Sequence, residues 1–492
     1  MQTKILRICL WMFILFAALS GIYIYGVIVK ANGDNVEHLH SSWLVWQGYV
    51  PYRDFFQHHN PLLWYLSAPL VAMLINTPDI FPVFNTISIA TLSLIACFQY
   101  KILRLNNNTK NASLFVAALS ISSYSLLWSA NYKPDIFMFL MFFIGLYELL
   151  YYIKKQKPLA LYLSFIAFLV AFGFTQKALM FFVIPGFAVI YWLISGKIQT
   201  KTFLGALNVC LFLLLLFISV LFVNGILAVY WRSNFYFNTY IPQIFEAQRI
   251  IFPPSEFIDF YIFLPLGVVA SFYFIYKGSV IERLFAWMFC FETVLRLFYF
   301  SAFLHYVMFW LMVAIMLTVM FFDKFSKLRK YFAGLGLLYL VFILFYNYEA
   351  TYKKEILSFH MKSGHDFAFE VLTPCDYALN GYYATYNLKA KDPGYYAILL
   401  GQIDVLGEKA GIAKRDNLNT LIIEKKPKII SAGIYWDTYW EQRGKKIPAH
   451  IVDSYLIDTY YDYTGFGDIH ILKPQYQKHN CVYDNNEWKY MD

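Results

Sequence analysis

The chain has 492 residues, 59% of them apolar and 14% charged, with a formal charge of +9. Soluble domains carry about a quarter charged residues, so most of this chain is solvated by lipid and a simple soluble protein is excluded. The positive balance is no nucleic-acid signal, because Lys and Arg gather at the ends of apolar runs, where they set topology.

Residues 4 to 29 open with Lys4 and Arg7 and continue apolar. That run is too long for a signal peptide and lacks a small-residue cleavage site, which predicts a retained first helix. Apolar windows long enough for a hydrocarbon core of about 30 Å predict spans along the chain as far as Tyr346. They are expected at 8–29, 81–103, 112–129, 135–153, 159–174, 178–195, 203–223, 257–276, 284–300, 303–322 and 332–347, eleven in all. With the N-terminus cytoplasmic, five basic clusters fall on the inner side: Lys101, Arg104 and Lys110; Lys154, Lys155 and Lys157; Lys197 and Lys201; Lys277 and Arg283; Lys324, Lys327, Arg329 and Lys330. The same alternation places the loops 29–80 and 224–256, and the tail, outside.

In the first outer loop, the apolar stretch 61–75 is short for a span and bracketed by Pro61 and Pro78, which predicts a helix lying in the interface. Trp64 and Tyr65, with Trp43, Trp46, Tyr49 and Tyr52 upstream, suit the headgroup region. Residues 1–350 are thus a transmembrane domain with interfacial helices in the loop 30–80, and 351–492 a soluble extracytoplasmic α/β domain. Short β-type runs at 420–423 and 428–430 support that tail assignment. An oxidising exterior permits Cys375 and Cys481 to pair, but spacing alone does not pair them. The sequons at Asn107 and Asn111 fall in an inner loop and are read as chance.

Two clusters in the first outer loop carry the chemistry. Gly33-Asp34-Asn35-Val36-Glu37-His38-Leu39-His40 emerges directly from the first span. As a helix it sets Asp34, Glu37, His38 and Ser41 on one face, although a bare N-terminal cap at Asp34 reads the same pattern. The second cluster runs from Gly48 through Arg53-Asp54 and His58-His59-Asn60 to Pro61-Leu62-Leu63-Trp64-Tyr65.

Together they resemble the first outer loop of the GT-C glycosyltransferases. The likeness is greatest to the bacterial branch related to the protein O-mannosyltransferases and the lipid A aminoarabinose transferases. It implies transfer of a monosaccharide from a polyprenyl phosphate to an acceptor outside the membrane, with Asp34 as the catalytic base. Asn131-Tyr132-Lys133-Pro134-Asp135 resembles a basic-Pro-acidic motif of such relatives, and Thr175-Gln176-Lys177 their Thr-Lys segment. The sequence departs from the pattern at Asn35, where many mannosyltransferases carry Glu. It departs again at His58-His59-Asn60-Pro61-Leu62, where aminoarabinose transferases read Glu-Lys-Pro-Pro-Leu.

The chemistry so implied needs a base and cations. Asp34 takes the acceptor proton as the hydroxyl attacks the anomeric carbon, inverting it, and cations neutralise the departing phosphate. Outer-side candidates are Arg53, His58, His59, Lys133, Lys177, Arg232, Arg249, Arg296 and His305, with Lys133, Lys177 and Arg249 foremost. Any one of them also reads as a snorkelling anchor. His305-Tyr306 resembles an aromatic position near the lipid site, with plain packing the alternative. A divalent metal on His58 and His59 with Glu37 or His40 is left open. Adjacent imidazoles point different ways in most backbones, which favours phosphate hydrogen bonding by these residues.

The expected partners are a polyprenyl-phosphate-linked sugar, a glycan, lipid or protein acceptor, and membrane lipids, with no nucleic acid and no required cofactor. The expected location is the bacterial inner membrane. The rival classes are a transporter or flippase, whose related halves and mid-membrane charges are missing here, and a scaffold for which Asp34 is dispensable.

Overall fold

The computed structural model describes residues 33–77, 80–240, 258–298, 307–325 and 334–347, with parts of 8–20, 371–431 and 455–490 and residue 331. The chain divides into two compact units, one of residues 1–28, 84–220 and 245–352, the other of 29–83, 221–244 and 353–492.

The first unit is helical. Four helices among the described residues are long and apolar enough to cross a membrane: Ile80–Leu105, Pro134–Lys155, Thr200–Val223 and Ile258–Lys277. Shorter apolar helices are Pro158–Phe174, Ala178–Ile194 and Gly334–Asn347. Proline at the first helical position starts Pro134–Lys155, where its missing N–H costs nothing, and Gln156 ends the helix in the left-handed conformation at φ 54°. The helix Met308–Lys324 is buried on all sides from Met308 to Thr318, as a helix apolar all round must be to lie at the centre of a bundle. Thr200–Val223 is the opposite case, with Phe212, Leu215, Phe222 and Val223 exposed, the surface a lipid-facing helix presents. Gly145 permits a close approach between helices: a Cβ there would meet the Phe168 ring at 2.9 Å, and Ser164 Oγ donates to its carbonyl at 2.8 Å.

The expected span 112–129 is not one helix. Lys110–Ser122 stops, Ser123 turns out at ψ 122°, and a short helix Tyr124–Ser129 begins. The break has a partner in Asp259, at the start of Ile258–Lys277 and wholly buried. Its carboxylate accepts from the Ser123 and Ser125 hydroxyls and from the N–H groups of Ser125 and Phe260, both at 3.0 Å. A run of small hydroxyl residues offers the backbone local bonds that compete with the helix, and here a buried anion collects them.

At the other end of this helix, the sequon residues have a structural task. Thr109 caps Lys110–Ser122 and donates through Oγ1 to Asp323 at 2.8 Å, while Asn108 Nδ2 bonds Asp323 at 3.1 Å. Lys324 pairs with Glu282 at 2.8 Å beside them.

The second unit contains the helix Gly33–Trp46, the helix Leu62–Leu74 expected after Pro61, the segment 227–239 and the tail. In the tail, β1 (Ala378–Leu379), β2 (Ile429–Ser431), β3 (Tyr455–Asp458) and β4 (Ile469–Leu472) form one sheet in the order β1-β2-β4-β3. β1 and β2 are parallel and the other pairs antiparallel, with Ile429 opposite Ile471 and Ile457 opposite His470. The run 420–423, expected as a strand, is helical within Leu418–Lys425. Ile422 is buried while Thr420, Ile423 and Glu424 are exposed, so one helical face meets the core and β-branched propensity is overridden.

β5 (Cys481–Asp484) and β6 (Glu487–Tyr490) make a separate hairpin. Cys481 is disulfide-bonded to Cys375, which lies 106 residues earlier. Asp376 adds a second tie, accepting from the Tyr490 hydroxyl, from Thr373 N at 2.6 Å and from Lys428 Nζ at 3.4 Å. The closed loop is long, so a Cys375→Ser chain should lose about 2–4 kcal/mol of tail stability. Limited proteolysis of the full chain checks this: cleavage between residues 371 and 490 should be faster in Cys375→Ser and in reduced wild type than in the oxidised protein.

Candidate functional site

Asp34 stands in the first turn of Gly33–Trp46; its side chain lies outside the described residues. One turn on, Glu37, His38 and His40 are all buried. The helix meets Leu62–Leu74 closely enough for Ser42 Oγ and Ser67 Oγ to bond at 2.9 Å. Across the same contact the Trp64 indole N–H donates to His38 Nδ1 at 3.2 Å.

Between these helices the chain makes a tight turn. Val50 to Asp54 folds back with Tyr52 at φ 68°, a conformation that costs a non-glycine residue about 1 kcal/mol or more and persists where its surroundings fix it. Tyr52 is fixed by burial and by its hydroxyl, which donates to the His59 carbonyl. Burial also lifts this phenol well above its ordinary pKa, so it stays a donor. Arg53, a sequence candidate for phosphate binding, forks onto Asp54 at 2.9 and 2.8 Å instead. Against the cost of burying Asp54, that guanidinium and the Val50 N–H hold its carboxyl below the usual range.

The strip Gln57-His58-His59-Asn60 follows. Its two imidazoles do not diverge, contrary to the expectation for adjacent residues: their centroids are 4.2 Å apart, and His59 lies 5.4 Å from His38. The alternation rule belongs to extended strands, and this strip is a bend between an aromatic turn and a helix. Gln57 Nε2 anchors its start on Ser41 Oγ at 2.7 Å. Phe56 flanks it, 6.0 Å from the His58 ring, with its N–H donating to the Tyr395 carbonyl at 3.0 Å. Three histidines, a tryptophan and a glutamate are thus gathered in one unit. Among the described residues no group of three or more His, Cys, Asp or Glu is arranged to hold a metal ion.

The remaining cationic candidates are distributed differently. Lys133 is buried and precedes the Pro134–Lys155 helix, whose first turn carries Asp135. Lys177 pairs with Asp135 at 3.3 Å, so the basic-Pro-acidic motif and the Thr-Lys segment meet within the helical unit. Arg296 pairs with Glu292 one turn back at 2.5 Å. Arg232 donates to the Gly411 carbonyl at 2.6 Å. Arg249, His305 and Tyr306 lie outside the described residues.

Residues absent from the sequence candidates are Trp64, Tyr52, Tyr395 and the series Tyr230, Asn234 and Asn238. The last three recur every four residues, a spacing that marks one helical face, and that signal was readable.

Residues 58–222 match the family model described as dolichyl-phosphate-mannose-protein mannosyltransferase. The structure is similar to ArnT from Cupriavidus metallidurans in the apo state, with a TM-score of 0.63 at 10% identity over 93% of this chain and 97% of that one. The same protein bound to undecaprenyl phosphate gives the same values, a TM-score of 0.63 at 10% identity over 93% and 97% of the two chains. The fold is that of the GT-C glycosyltransferases. No curated relative matches the sequence. Within the GT-C fold, the matched segment opens on His58 and takes in the His58-His59 strip, Lys133, Asp135 and Lys177.

Proposed function

We propose that the chain is a membrane glycosyltransferase that moves a monosaccharide from a polyprenyl-phosphate donor to an acceptor outside the bacterial inner membrane, with inversion. The observation that carries the reading is the GT-C fold with a carboxylate, Asp34, in the first turn of the helix that leads to the histidine strip. Asp34 takes the proton from the acceptor hydroxyl. The freed oxygen bonds to the anomeric carbon from the face opposite the phosphate. The bond from that carbon to the phosphate oxygen breaks, and the electron pair leaves with the polyprenyl phosphate. His58 and His59 supply N–H donors to the phosphate in this reading. The undecaprenyl phosphate bound by the similar ArnT supports a polyprenyl carrier. The Cys375–Cys481 bond supports a tail facing an oxidising compartment.

The test is reconstitution of the full chain in liposomes with a panel of polyprenyl-phosphate sugars and lipid, glycan and peptide acceptors. Release of polyprenyl phosphate should match formation of a product of inverted anomeric configuration. No release from any donor, with surface glycans of a deletion strain unchanged in mass, overturns the reading.

A further inference from the structure

We propose that Tyr230 and Asn238, from the second outer loop, are positioning residues that hold the His58-His59-Asn60 strip in its working shape. This rests on the strip being part of the transfer site. The strip has no helix or strand to hold its main chain, and a segment without such bonds wanders unless something outside fixes it. The first and last of its three residues are fixed directly from one short stretch, and the middle one by Tyr52. Asn238 Nδ2 donates to the His58 carbonyl at 3.2 Å. The Tyr52 hydroxyl donates to the His59 carbonyl. The Tyr230 hydroxyl donates to Asn60 Oδ1 at 2.8 Å.

The brace is itself built to one shape. Arg232–Tyr236 forms a π turn, which is rare, costs regular hydrogen bonding and tends to persist at working sites. Asn238 Nδ2 also bonds the carbonyls of Asn234 at 2.8 Å and Ser233 at 3.4 Å, so one amide closes the π turn and reaches the strip. Tyr230 meets the Tyr52 ring edge-on at 5.4 Å, and Phe237 lies 5.6 Å from the His58 ring. The donors are neutral amides and phenols, two of them phenols whose ionisation is suppressed by burial. They grip the backbone carbonyls of His58 and His59 and the side-chain amide of Asn60, so the imidazoles are aimed by the main chain beneath them.

The variants Tyr230→Phe and Asn238→Ala in the full chain test this with two readouts. Carbethoxylation of histidines, followed by mass spectrometry, reads the brace without any activity. His58 and His59 should be modified about threefold faster in each variant, with His40, stacked on Trp43 in its own helix, unchanged. Sugar transfer should fall about tenfold in kcat, since small misplacements of positioned groups are costly, with the donor KM within about twofold. Tyr230→Phe keeps the ring against Tyr52 and removes only the hydroxyl, so it preserves the packing. Unchanged modification of His58 and His59 overturns the brace whatever transfer does, and so does an equal rise at His40, which would make the segment a support for the whole unit. Faster modification with unchanged kcat overturns the positioning role, while absence of transfer in wild type overturns only the functional reading beneath it.

Discussion

Asp34→Asn in the full chain should lower the rate of sugar transfer by about 10²–10⁴-fold, the contribution of a positioned general base. The loss should fall on kcat, with donor KM little changed, because the amide keeps the size and polarity of the carboxylate and fails only as a proton acceptor. Liposome assays at saturating acceptor decide the matter. Transfer by Asp34→Asn at the wild-type rate would end the assignment of the base and leave the fold without its proposed chemistry.

The second large effect lies in the helical unit. Asp259→Ala should cost about 3–5 kcal/mol, because it leaves two hydroxyls and two N–H groups buried without their acceptor. Asp259→Asn should cost clearly less, since the amide retains one acceptor oxygen. Detergent-induced unfolding of the full chain, followed by tryptophan fluorescence, gives both values. Equal midpoints for wild type and Asp259→Ala would show that the break at Ser123 closes by itself.

Local signals in the sequence located much of this architecture. Pro134 and the pair Lys154 and Lys155 bound an apolar run, and the helix Pro134–Lys155 follows within a residue or two of the expected limits. Pro61 and the apolar stretch after it gave Leu62–Leu74 for the same reason. The break at Ser123 was hidden, because Ser-Ser-Tyr-Ser inside an apolar run looks like continuing helix and its partner lies 136 residues away. The strand expected at 420–423 failed because propensity is read locally and burial is decided by the whole tail. At the candidate site, residue identities were legible and arrangement was not. His58 and His59 stood out at once, yet their convergence depends on Tyr52 in a left-handed turn and on Tyr230 and Asn238, 170 and 180 residues downstream of their partners.

The interrupted helix at Ser123 also bears on how the protein is made. Lys110–Ser122 and Tyr124–Ser129 leave the ribosome well before Asp259 does, and bare amides are not tolerated in hydrocarbon. Until the later carboxylate arrives, the newborn segment is better satisfied as a straight rod, so the bend is an act of late assembly, completed when Ile258–Lys277 docks.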